Sequence, residues 1–220
     1  MEKFMMMSKW YLVLLSLTIT FVSQSQKPFE GTIEFLYLKN DTTKNVYSVK
    51  DNLVRLDQYS KKNDGSIEGS FLFNLSTKEI KILSPRRKLW SIHKSSVPPT
   101  ISGKCEVIKT NNTKNILGFK CAEYIVKNIK EDTEISYWIT MENYNFFVPL
   151  LQLWNRKDKQ SVYFNQINSL PAGAMPLLSV EKQMSTGKII SKLETTKVTP
   201  KKLSSEIFEV PKDFKKFEGE

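Results

Sequence analysis

The sequence predicts a mainly β protein, a curved antiparallel half-barrel of about eleven strands with a helical cover. Three observations point there. Apolar and polar residues alternate with period two along most of the chain, as where Ile33, Phe35 and Tyr37 interleave with Thr32 and Glu34. The strand-like runs are mostly joined by turns of two to six residues, which makes sequential strands antiparallel neighbours. One stretch, residues 146–154, has the other period: Phe147, Leu150, Leu151 and Trp154 stand at i, i+3, i+4 and i+7. A lone apolar helix needs a sheet to lie on, and this sheet needs a cover.

The first 25 residues stand apart from the fold as a signal peptide. Lys3 and Lys9 make a positive start, residues 10–22 form an apolar stretch of 13 residues, and Ser23-Gln24-Ser25 offers small residues to a peptidase. Cleavage after Ser25 leaves residues 26–220 as one domain. The apolar run is short of the roughly 20 residues of a membrane-spanning helix, and no Cys follows it to take a lipid anchor. The expected product is soluble and periplasmic or secreted.

Strands are expected over residues 31–39, 44–50 and 53–59, the last two flanking the turn pair Asp51-Asn52. A loop at 61–65 ends in Asp64-Gly65, and strands follow at 67–75, 79–83 and 88–93. Val97-Pro98-Pro99 marks a loop or edge crossing. A hairpin then carries both cysteines. Closed over residues 111–115, it sets Thr110 opposite Ile116, Ile108 opposite Gly118, and Cys105 opposite Cys121. Opposed Cα atoms lie about 4.5–5.5 Å apart, within reach of a disulfide. An exported chain permits the bond, and a pair of buried free thiols is the alternative. A strand at 133–141 precedes the helix, which starts near Phe146 or Phe147 because Pro149 fits only a first turn. Residues 161–167 extend it or form a second short helix, and Leu170 to Pro176 is rich in breakers. A hairpin at 177–184 and 188–198 follows, then a tail that packs Ile207, Phe208 and Val210.

Several strands are apolar on both faces, with Leu72 beside Phe71 and Trp90 beside Leu89, so the second face is expected to be partly covered, and the helix stretch is the available cover. The helix has two readings: plain core, or a lid over a cleft. Phe147, Leu150, Leu151 and Trp154, with Trp90 and Trp138 from the strands, are the candidate lining.

Chemistry is sparse. His93 is the only histidine, and no nucleophile-elbow, dinucleotide or phosphate-loop motif occurs. No catalytic residue, metal site or cofactor is expected. Lys and Arg number 33 against 23 Asp and Glu, a formal +10. The lysines stand singly or in pairs such as Lys201-Lys202, a solvated surface rather than a nucleic-acid patch.

Three stretches carry a resemblance: Phe29-Glu30-Gly31-Thr32-Ile33, Ile116-Leu117-Gly118-Phe119-Lys120-Cys121 with Tyr124, and Tyr137-Trp138-Ile139-Thr140. With the closing Leu203 to Pro211, they make the chain resemble a domain-of-unknown-function family of exported bacterial proteins. The architecture resembles the LolA-like lipoprotein carriers of the Gram-negative periplasm. That resemblance implies a lipid-like ligand held between sheet and helices. The alternative is an envelope interaction module with a closed core, and an enzyme ranks third.

Overall fold

The computed structural model describes residues 27–60, 65–94, 97 and 99–218. The expected signal peptide, its expected cleavage point and most of the 61–65 loop lie outside the described residues. Twelve strands form one sheet. In chain order they are β1 (Gly31–Leu38), β2 (Thr42–Lys50), β3 (Leu53–Tyr59), β4 (Ile67–Asn74), β5 (Glu79–Ser84), β6 (Leu89–Ile92), β7 (Glu106–Ile116), β8 (Phe119–Asn128), β9 (Thr133–Thr140), β10 (Met175–Gln183), β11 (Ile189–Pro200) and β12 (Lys215–Lys216). Helices α1 (Phe147–Trp154) and α2 (Lys159–Phe164) lie between β9 and β10.

The strand order is β12-β6-β5-β4-β3-β2-β1-β11-β10-β9-β8-β7. Two meanders, β1 to β6 and β7 to β11, are stitched where β1 pairs antiparallel with β11, from Gly31 opposite Pro200 to Leu38 opposite Lys192. All eleven expected strands are present. The twelfth is the two-residue β12, which pairs in parallel with β6, the one parallel pairing among the described residues.

The inner face of the sheet is apolar and buried, with Ile33, Val54, Leu56, Phe73, Ile135 and Ile139 all at 2% exposure or less. Both helices pack here. Leu150 is fully buried, and the Trp154 ring sits 5.1 Å from Phe71 and 5.0 Å from Phe73. Pro149 falls in the first turn of α1, where its missing N–H leaves no bond unmade. Asn155 ends α1 in the left-handed region at φ 55°, a conformation asparagine tolerates. Asp158 then caps α2, its Oδ1 accepting from the Ser161 N–H at 3.0 Å.

The opposite face is covered not by the helices but by the C-terminal segment. Leu72 and Leu83 are buried there, as is Phe208 of the tail. Arg55 donates through Nη1 to the Ile207 carbonyl at 2.9 Å, and Lys50 Nζ to that of Leu203 at 2.8 Å. Arg55 also pairs with Asp57, whose carboxylate accepts from the Ser70 hydroxyl.

The cysteine pairing is corrected. The β7–β8 hairpin turns tightly at Leu117-Gly118, φ 54° and 87°, with Ile116 opposite Phe119. This register sets Lys114, not Cys105, opposite Cys121. Cys105 precedes Glu106, the partner of Lys127, and its Sγ lies 3.8 Å from Nδ2 of Asn128. Asn128 and Cys121 are seven residues apart on one strand, roughly 23 Å. Both cysteines are free thiols. Burial raises both pKa values, that of Cys121 to about 11 against the opposing pull of Lys114. The nucleophilic thiolate is therefore scarce at neutral pH. Thiol titration of the denatured, unreduced protein should give two thiols per chain. In the folded protein Cys121 should react slowly, and faster as pH rises towards 11. No thiols on denaturation would overturn this register.

Candidate functional site

A cavity of about 80 Å³ lies between α1, α2 and the inner face of β1, β2, β10 and β11. Phe147 and Leu151 supply its helix side, and Ile33, Phe35, Met175 and Leu193 its sheet side. Its other wall is polar: Asn45, Gln58, Thr195, Gln160, Arg156 and Asp158. Of the expected lining, the fold brings Phe147 and Leu151 to the cavity. Leu150 and Trp154 are buried in the core beside it.

Trp90 and Trp138 are placed elsewhere. Trp90 pairs with Leu83 on the tail-covered face, with Lys81 Nζ 5.7 Å from its ring centre. Trp138 alternates with Tyr137, so when Tyr137 reaches α2 the indole points to the far side, with Lys114 Nζ 5.7 Å from its ring centre. A strand apolar on both faces does not announce which face is inner.

Arg156 and Asp158 read, in sequence, as part of a polar run facing solvent. Both line the cavity. Arg156 Nε meets Asp158 Oδ2 at 2.5 Å, and the guanidinium lies 4.5 Å from the Trp154 ring centre. Burial works against the arginine charge, yet Asp158, Tyr47 and Tyr37 outweigh it and raise its pKa. The signal for this pair was local. Asp158 stands three residues before Ser161, at cap spacing.

Burial pushes the Tyr47 phenol up to about 12, Arg156 opposing. Burial also raises Tyr137, whose hydroxyl donates to the Gln160 carbonyl at 2.8 Å. Both phenols are neutral donors at physiological pH. The Gln160 side chain is 5% exposed and donates through Nε2 to Ser191 Oγ at 2.9 Å, while Ser191 donates to Glu181 at 2.6 Å. The carboxylate can only accept, so the serine must donate to it and take the amide N–H. That leaves Gln160 Oε1 buried without a partner. Among the described residues no cluster of His, Cys, Asp and Glu could hold a metal ion. His93 lies at the end of β6, its backbone N–H bonded to the Ile80 carbonyl, away from the cavity.

The model of a family described as a domain of unknown function, DUF4412, matches residues 29–214. The chain belongs to that family. Curated proteins offer no match. Among solved structures, this DUF4412 chain is similar to an uncharacterised conserved protein from Thermus thermophilus, with TM-score 0.50 and 10% identity over 84% of this chain and 88% of that one. It is less similar to a LolA superfamily protein from Nitrosomonas europaea, with TM-score 0.34 and 9% identity over 84% and 91% of the two chains. A structure of PNGF-II aligns over 84% of this chain and 30% of its own, with TM-score 0.43 and 15% identity. The Thermus likeness concerns the fold alone. Among the described residues of this DUF4412 chain, no helix is long and apolar enough to cross a membrane.

Proposed function

We propose that this DUF4412 protein is exported and binds an apolar or amphipathic, lipid-like ligand between its helices and the inner face of the sheet. The observation that carries the reading is the cavity: an apolar floor under two short helices, with one charged and hydrogen-bonding wall. Such a lining suits a chain packed on Phe35, Leu151 and Leu193 and a polar group near Arg156. At about 80 Å³ the cavity is smaller than the roughly 300–1,000 Å³ of ligand pockets. Admission of a lipid-like chain therefore requires α1 and α2 to lift from the sheet. Export rests on Lys3, Lys9 and the apolar run that follows.

The small volume itself favours a second reading, an envelope interaction module whose core is simply closed. Native mass spectrometry of protein purified from its own host separates the two. The expected spectrum shows a chain beginning at Gln26 with a co-purified adduct of lipid mass. A bare chain that also fails to retain a fluorescent fatty-acid probe would leave the closed module.

A further inference from the structure

The β8–β9 and β10–β11 turns, residues 129–132 and 184–188, stand together at one end of the sheet. Asp132 ties them: its carboxylate accepts from the Ser185 N–H at 2.8 Å and from Gln183 Nε2 at 2.8 Å, and its carbonyl accepts from the Met184 N–H. Each turn carries one exposed apolar side chain among polar residues. Ile129 is 83% exposed, and Met184 shares a surface groove with it, flanked by Lys104 and Lys130.

Charge at this end is sorted. The Glu131 carboxylate turns inward, accepting from the Tyr163 hydroxyl at 2.6 Å and the Ser102 N–H at 2.7 Å, and Asp132 is spent on the turn. Lys127 is paired with Glu134. Lys104 and Lys130 make no ion pair with a described residue. Glu106 is the one acid lining the groove against Lys104, Lys127 and Lys130. Exposed Ile129 and Met184 flanked by Lys104 and Lys130 match a surface that is anionic outside and hydrocarbon beneath. A protein partner with an acidic face would use the lysines, but two apolar side chains, Ile129 and Met184, make a small apolar patch for a protein interface.

We propose that this end of the sheet docks on an anionic lipid surface, with Ile129 and Met184 entering between headgroups that Lys104 and Lys130 contact. The cavity wall at Tyr37 and Asp158 faces the same end, since both residues also line a groove with Glu131, Asp132 and Lys182. Docking therefore sets the cleft beside the membrane. The surface stands on its own turns and lysines, so it holds whether or not the cleft is filled.

The test is co-sedimentation of the mature chain with phosphatidylcholine vesicles, with and without phosphatidylglycerol. Binding is expected to the anionic vesicles alone and to weaken at high salt. Ile129→Asp should weaken it roughly tenfold, and Lys104→Glu with Lys130→Glu by as much or more. Lys201→Glu with Lys202→Glu makes the same charge change at the opposite end of β11, and should weaken it less than about twofold. All these positions are exposed, so melting temperatures should hold and confirm folding. The proposal fails if the parent ignores anionic vesicles, or if Ile129→Asp changes nothing. It fails too if the distal pair weakens binding equally, or if Ile129→Asp instead abolishes self-association on gel filtration. Vesicle binding by a chain with an empty cleft removes the ligand reading and leaves this one. A lipid-loaded chain that ignores vesicles does the reverse.

Discussion

Leu150→Ala is expected to cost about 2–5 kcal/mol of stability and to lower the melting temperature by on the order of 10 °C. Leu150 is fully buried among the inner-face side chains and does not line the cavity, so its truncation opens a void with no solvent to fill it. Leu151→Ala is the informative companion. Its side chain, 5% exposed, already borders empty space. The lost contacts are fewer, and the loss should fall at or below the low end of the same range. Enlarging the cavity should also change retention of a hydrophobic probe. Thermal melts and probe titrations on both variants decide between lid and core. Equal, large losses with no probe bound by the parent would sink the lid.

Gly173→Ala should be comparably harmful for a different reason. A Cβ at Gly173 falls 1.8 Å from the Glu142 carbonyl oxygen and 3.2 Å from Asn145 Oδ1. The nearest obstacle is backbone, so the main chain must move. The Tyr144 N–H also donates to the Gly173 carbonyl at 3.3 Å, which locks the breaker-rich loop to the approach of α1. Overpacking of this kind costs about 1–3 kcal/mol and more where no side chain can yield. Gly187→Ala is the comparison: it meets nothing within 4 Å, and only its φ of 70° resists. Urea denaturation of both measures the difference. A Gly173→Ala protein as stable as the parent would show that the two loops are not interlocked.

The strands and α1 were legible because period two and period 3.6 are written in single residues. The hairpin register was not. The run Asn111-Asn112-Thr113 has the composition of a turn, whereas the chain turns at Leu117-Gly118, with a leucine in the left-handed region. The asparagine run is instead absorbed by an irregularity between Lys109 and Thr113, where Thr110 and Asn112 both donate to Glu123. A turn-forming composition says where a chain can bend, not where it does. The cavity was half legible. Its apolar helix residues follow from one face of α1, but its polar wall is assembled from β2, β3, α2 and β11, which no local pattern joins. The tail over the outer face was foreseen as packing, not as the cover for Leu72 and Leu83.

The β1–β11 seam governs the order in which the fold can be assembled. Each meander consists of hairpins whose strands are near neighbours in sequence, so their loops close cheaply. The seam brings Gly31 to Pro200 and must close over nearly everything between. It is a strongly non-local pairing, the kind that slows folding. A chain emerging amino-terminus first can build β2 to β6 early, yet β1 keeps one edge unpaired until β11 arrives. During that interval an apolar strand with a bare row of amides and carbonyls is the molecule's most adhesive surface.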